Sequence, residues 1–177
     1  MGLFDKIFAK KETKGKKTGT ENSSACEPLT VYAPLSGKAM PLGDIPDPVF
    51  SQGILGPGCG IEPSEGAVYA PFHGEISFVA DTKHAVGISS PDGMELMIHV
   101  GLDTVDMGGK GFDVKVKQGQ KVHKGELLLT FSFDDIRAAG HPSTTAVLLT
   151  NGSDYAEVKL EVTGNVETGA VLLRAAK

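Results

Sequence analysis

The chain has no tryptophan, 6% aromatic residues and two cysteines among its 177 residues. Cys26 and Cys59 lie in separate segments without CxxC spacing. That argues against a disulfide or a metal role and favours free thiols of a cytosolic protein. No apolar run approaches the roughly 18 residues that a spanning helix requires, and no signal-peptide pattern opens the chain. Neither HxH nor HExxH spacing occurs, so the zinc-hydrolase ligand pairs are missing. Positive charge is scarce beyond the first residues. Residues 1–21 carry six lysines against three acids, and the rest of the chain carries 11 basic against 19 acidic side chains. An acidic body of this kind is not expected to bind nucleic acid.

Glycine (23 residues) and proline (10) are plentiful beside a 40% hydrophobic fraction, enough to build a core of short strands joined by tight turns. Alternation places strands at 67–70, 74–80, 83–90, 94–100, 112–117, 126–132, 144–150, 157–163 and 170–174, with one helical stretch at 133–140. Asp44–Phe50 reads as a proline-stiffened connector with a short turn. Val31-Tyr-Ala-Pro-Leu-Ser-Gly37 recurs as Val68-Tyr-Ala-Pro-Phe-His-Gly74, and the Gly119–Leu128 turn pattern recurs over Gly164–Leu172. Two interlocked copies of one β motif follow. The fold class is therefore all-β, an antiparallel sandwich or partly closed barrel over 28–177, preceded by a basic tail at 1–27. Within that tail, Leu3, Phe4, Ile7 and Phe8 form one apolar stripe beside Lys6, Lys10 and Lys11. Such a segment suits either an anionic membrane surface, with 1–17 as the contacting stretch, or a disordered tail whose apolar residues do nothing, and a charged, polar linker covers 9–25. Gly2 has a myristoylation-like context, except that Lys6 stands where Ser or Thr is wanted.

Ser90-Pro-Asp-Gly93 is a type I turn signature between two apolar strands. Closing it as a Ser90–Gly93 pair sets Val86 opposite Met97 and His84 opposite His99, on one face. Leu96, Ile98 and Val100 then face the core, and Glu95, Met97 and His99 face outward. Thr82 shares the parity of His84, and Gly101 and Asp103 offer a carbonyl and a carboxylate within reach of an imidazole, enough to fix its tautomer. Two apposed imidazoles suit an open metal site with Asp103 as third ligand, or a nucleophilic histidine assisted by the other. They are also compatible with ordinary strand residues. His73, His123 and His141 read as solvated loop residues, and Lys83 as a strand residue poorly placed for a lipoyl hairpin.

Tyr32-Ala-Pro-Leu-Ser-Gly, Ile45-Pro-Asp-Pro-Val-Phe, Asp81-Thr-Lys-His-Ala and Gly93-Met-Glu-Leu-Met-Ile-His-Val-Gly-Leu-Asp-Thr-Val resemble the glucose-family enzyme IIA domain of the bacterial phosphoenolpyruvate-dependent sugar phosphotransferase system. The resemblance implies a phosphocarrier on an antiparallel β-sandwich. His99 would take a phosphoryl group on Nε2 from HPr, His84 would support its oxygens, and Thr82 would join their hydrogen-bond network. The group would pass to a cysteine of a IIB domain of a IIB/IIC sugar permease, and the phosphorylation state could also act as a signal. Val49, Phe50, Ile54, Leu55, Val86 and Met97 match the family's hydrophobic docking patch, although Ala80, Val86 and Met97 stand where phenylalanine is frequent. No cofactor is implied beyond adventitious zinc at His84 and His99. The location would be cytoplasmic, peripheral at the inner face of the membrane.

Overall fold

The computed structural model describes residues 26–177. The amphipathic segment 1–8, the linker over 9–25 and the context of Gly2 lie outside the described residues. The strands are β1 (Thr30–Tyr32), β2 (Gly37–Pro41), β3 (Gly58–Pro63), β4 (Ala67–Tyr69), β5 (Gly74–Val79), β6 (Ala85–Ser89) and β7 (Glu95–His99). There follow β8 (Phe112–Val114), β9 (Lys121–Val122), β10 (Leu127–Phe131), β11 (Thr145–Leu149), β12 (Glu157–Leu160), β13 (Gly164–Val166) and β14 (Val171–Ala176). Two short helices join them, α1 (Pro48–Ser51) and α2 (Phe133–Ala138). All nine expected strands are present, eight of them trimmed at their ends and β14 running on to Ala176. Five others, β1, β2, β3, β9 and β13, had not been read as strands.

The largest sheet runs β13-β2-β3-β11-β7-β6-β5-β9, and two three-stranded sheets, β1-β14-β12 and β4-β10-β8, complete the body. Every pairing is antiparallel. Val68, Ile76, Ile88, Leu96, Ile98, Leu128, Val147 and Leu172 belong to one continuous core between the layers. β11 is buried on both faces. Val147 and Leu149 join that core, while Ala146 and Leu148 join a smaller cluster with Ile45, Phe50 and Leu102 on the other face of the large sheet. Its unbroken Thr-Ala-Val-Leu-Leu run follows from having no wet side.

The duplication read from the sequence is visible in the backbone. β1 and β2 stand to each other as β4 and β5 do, 37 residues on. The copies exchange hydrogen bonds: Tyr32 N donates to Pro71 O (3.0 Å) and Tyr69 N to Pro34 O (2.7 Å). Ala33 bonds residues 169 and 170 as Ala70 bonds residues 125 and 126. Each copy thereby satisfies the turn amides of the other, which would otherwise be buried without partners. The repeated Tyr-Ala-Pro is the seam.

Candidate functional site

His99 is the last residue of β7. Alternation sends Leu96 and Ile98 into the core and brings Met97 and His99 to the opposite face. Immediately after, Gly101 turns the chain back at φ +81°, and its carbonyl accepts a hydrogen bond from Nδ1 of His99 at 3.0 Å. A side chain at 101 would run into Thr104 and approach Pro142 O at 3.1 Å, so the turn requires glycine sterically as well as conformationally. With Nδ1 holding the proton, Nε2 keeps its lone pair. Phe50 covers the ring edge-on, centroids 4.9 Å apart.

His84 reaches the same place by a route the sequence reading did not foresee. The Ser90–Gly93 turn forms, but Gly93 adopts φ +97° and Ser90 N closes on Met94 O. This three-residue loop, a type I turn followed by a left-handed glycine, shifts the register by one. Ala85 pairs with His99, Val86 with Ile98 and Gly87 with Met97. A regular strand in that register would aim His84 into the core. Instead the strand begins only at Ala85, because Lys83 sits at φ +66° in the turn joining β5 to β6. The imidazole nevertheless lies 4.6 Å from His99, rings nearly perpendicular at 80°. The pairing of the two histidines was expected and is present, whereas the register given as its cause was wrong. Lys83 is correspondingly a turn residue. Thr82 Oγ1 lies 2.8 Å from Nδ1 of His84, and a hydroxyl there serves either tautomer.

Burial, reinforced by the like charge His84 would carry, holds His99 well below the ordinary histidine value, at about 4, against the smaller opposing pull of the Gly101 carbonyl and the Asp47 carboxylate. His84 is also pushed down, chiefly by burial, with the Thr82 backbone opposing. Both rings are neutral at pH 7. The carboxylate acting on His99 is Asp47, a residue the sequence reading passed over. It caps α1, its side chain accepting from Val49 N, with Pro48 at the first helical position. Asp103 is exposed and left-handed, and the ring's partner is the Gly101 carbonyl.

The expected docking residues separate into three kinds. Val49, Ile54 and Leu55 are exposed (44%, 66% and 39%), and Met97 is half-buried against the cluster that holds Phe50. Phe50 is buried against His99. Val86 is a correction: at 0% exposure it offers no surface, because the register shift pairs it with Ile98 and turns it into the core. Gly87 takes the outward position, and Phe78, partly exposed, lies across it so closely that a Cβ at 87 would strike its ring. His141 is a loop residue as expected, but its side chain is largely covered and its Nε2 meets Asp106 Oδ1 at 2.7 Å. His73 accepts from Lys124 N and stacks edge-on against His123. No group of three or more His, Cys, Asp or Glu that could hold a metal ion occurs among the described residues. No helix among them is long and apolar enough to cross a membrane. Cys59 is buried, its thiol pushed up to about 12, and is inert at neutral pH.

The antiparallel sandwich thus presents one neutral, tautomer-fixed imidazole beside a second, next to exposed apolar side chains. The family model for the phosphoenolpyruvate-dependent sugar phosphotransferase system, EIIA 1, matches residues 29–155. Among solved structures, the glucose permease IIA from Mycoplasma capricolum superposes with a TM-score of 0.74 at 33% identity, covering 82% of this chain and 94% of that one. The chain belongs to this EIIA family and is a phosphocarrier of the sugar phosphotransferase system, working through a phosphohistidine intermediate.

Proposed function

We propose that His99 carries the phosphoryl group on Nε2, receiving it from the phosphohistidine of HPr and delivering it to a cysteine of a IIB permease domain. In the first step the donor's N–P bond breaks with its electron pair left on the donor imidazole, while the Nε2 lone pair of His99 forms the new bond. In the second step a cysteine thiolate attacks phosphorus and the Nε2–P pair returns to His99. The Nδ1 proton stays in place throughout. The phosphorylated ring takes on positive charge that the Gly101 carbonyl stabilises, and the leaving group of the second step is a neutral imidazole. His84 donates from Nε2 to a phosphoryl oxygen when the Thr82 hydroxyl donates to its Nδ1. A loose transition state needs little more than this alignment and charge compensation.

The observation that carries this reading is the bond from Nδ1 to Gly101, which leaves Nε2 unprotonated beside a second imidazole 4.6 Å away. Val49, Ile54, Leu55 and Met97 dock both partners by excluding water, since apolar shape complementarity accommodates more than one protein. The reaction requires no cofactor, and a zinc ion reaching His84 and His99 would block Nε2. The protein works in the cytoplasm, with residues 1–17 reaching an anionic membrane. Sedimentation with anionic vesicles tests that last point, and unchanged binding after deletion of 1–18 would sink it.

The site itself is tested by phosphoryl transfer from phosphoenolpyruvate through enzyme I and HPr, read by intact mass. Wild type should gain one acid-labile phosphoryl group and His99→Ala none. His84→Ala should still accept one and pass it on slowly. A wild type that gains none from a competent donor overturns the reading.

A further inference from the structure

One peptide group stands behind the nucleophile. The carbonyl of Gly101, which fixes the His99 tautomer, shares its amide with the N–H of Leu102, and that N–H donates to Pro142 O at 3.1 Å. Because an amide is conjugated, a hydrogen bond at its N–H polarises its carbonyl and strengthens it as an acceptor. His99 Nδ1–H, the 101–102 amide and the Pro142 carbonyl thus form one aligned chain.

Pro142 must itself be held. Helix α2 ends in a Schellman closure, with Gly140 at φ +83°, Gly140 N donating to Arg137 O (2.9 Å) and His141 N to Ile136 O (3.1 Å). This fixes one side of residue 142. The side chain of His141 fixes the other, donating from Nε2 to Asp106 Oδ1 at 2.7 Å. Asp106 lies in the 3₁₀ turn Thr104–Met107, directly downstream of the 101–102 amide. The same turn is tied back by Thr104 Oγ1, which donates to Val100 O at 2.6 Å. The His141 side chain is only 14% exposed, so its geometry is confined.

We infer that His141 is a positioning residue for His99, clamping the α2–β11 connection to the Thr104–Met107 turn so that Pro142 holds and polarises the Gly101 carbonyl. It touches neither reacting nitrogen. Its importance to phosphoryl transfer rests on His99 being the carrier, while its effect on the His99 ring does not. With the clamp released, the amide turns, the carbonyl no longer singles out Nδ1, and the ring populates the Nε2–H form, which has no lone pair at Nε2.

Nitrogen NMR of the His99 ring reads the tautomer with no phosphoryl donor present, and rapid-quench phosphorylation from phospho-HPr reads the rate. His141→Ala should enrich the Nε2–H form and slow acceptance about five- to tenfold, the equivalent of about one lost hydrogen bond. His141→Gln, whose amide still donates to Asp106, should keep the Nδ1–H ring and a rate within about twofold of wild type. Asp106→Ala should match His141→Ala, and the double variant should be no slower than either. An unchanged ring spectrum and rate in His141→Ala overturn the assignment. So does a His141→Gln variant that is as slow as His141→Ala and equally lowered in melting temperature, since that is a purely structural role. The ring spectrum decides the matter even if wild type accepts no phosphoryl group, a result that would overturn the carrier site and leave the clamp standing.

Discussion

Replacing Phe50 by alanine separates what holds the segment over the histidine pair from what tunes the His99 ring. The ring is buried, meets His99 edge-on at 4.9 Å and packs with Ile45, Leu102, Ala146 and Leu148. Deleting a phenylalanine from an enclosed core costs about 3–5 kcal/mol. Phe50 sits on a four-residue helix and belongs to the smaller of the two clusters, so the lower end, about 3 kcal/mol, is expected. The second effect is electrostatic. His99 is lowered from 6.5 to about 4 with burial as the first cause, and solvent admitted to one side of the ring favours the charged form. The midpoint should therefore rise by roughly one pH unit, about 1.4 kcal/mol of recovered solvation. Phe50→Leu keeps an apolar cover and should move it by less than about half as much. The assay is an NMR titration of the His99 ring in both variants, alongside urea unfolding at pH 7. A Phe50→Ala protein that loses stability while His99 titrates where wild type does would refute the reasoning, because cover by Phe50 would then not be what keeps the ring neutral.

The two lowered histidines also predict how stability depends on pH. The unfolded chain takes up protons at the ordinary value of 6.5, and folded His99 does so only near 4. Stability is thus complete above about pH 6.5 and is lost as pH falls toward 4, with His99 contributing up to about 3 kcal/mol of that loss. Urea unfolding at pH 7 and pH 4.5 should give a smaller drop for His99→Gln than for wild type, and equal drops would contradict the assigned shift. Gly101→Ala should cost about 2 kcal/mol or more from the left-handed backbone and the collision with Thr104, and should release the Nδ1 proton of His99. A variant of wild-type stability with an unaltered ring spectrum would show that the turn tolerates a Cβ.

Much of this was legible in the sequence because local chemistry and tertiary role agree. Alternation in Glu95–His99 identified the core and site faces correctly, and the Tyr-Ala-Pro repeat announced the seam between the copies. The failures have local causes as well. Gly93 was counted as the closing residue of the hairpin, whereas its left-handed backbone makes it an inserted one, and Val86 consequently changed faces. The conformation of Lys83 has no signal in its residue type, since lysine rarely adopts positive φ, so the swing of His84 back toward His99 could not be anticipated. The two errors cancelled for the histidine pair and did not cancel for Val86. Strands β2 and β3 were missed because Gly37, Pro41, Gly58, Gly60 and Pro63 dilute the alternating pattern. Those glycines are required by packing. A Cβ at Gly60 would meet Ile45 at 2.8 Å, and Ile45 anchors the segment that brings Phe50 to the site.

The duplication bears on how the site is built. In each copy the chain leaves the second strand of the repeated motif toward β7, the strand that carries His99. After β2 it runs through Leu42–Asp44 into α1 and delivers Phe50. After β5 it turns through Ala80–Lys83 and delivers His84. The two side chains reach His99 from two directions, at ring separations of 4.9 and 4.6 Å. One copy thus contributes apolar cover and the other a second imidazole, from equivalent starting points in the fold. With His99 as the proposed carrier, the asymmetry would supply what phosphoryl transfer through a histidine needs, a dry side that keeps the ring neutral and a polar side for the phosphoryl oxygens. A symmetric pair of covers would leave the oxygens uncompensated, and a symmetric pair of imidazoles would admit water to the ring.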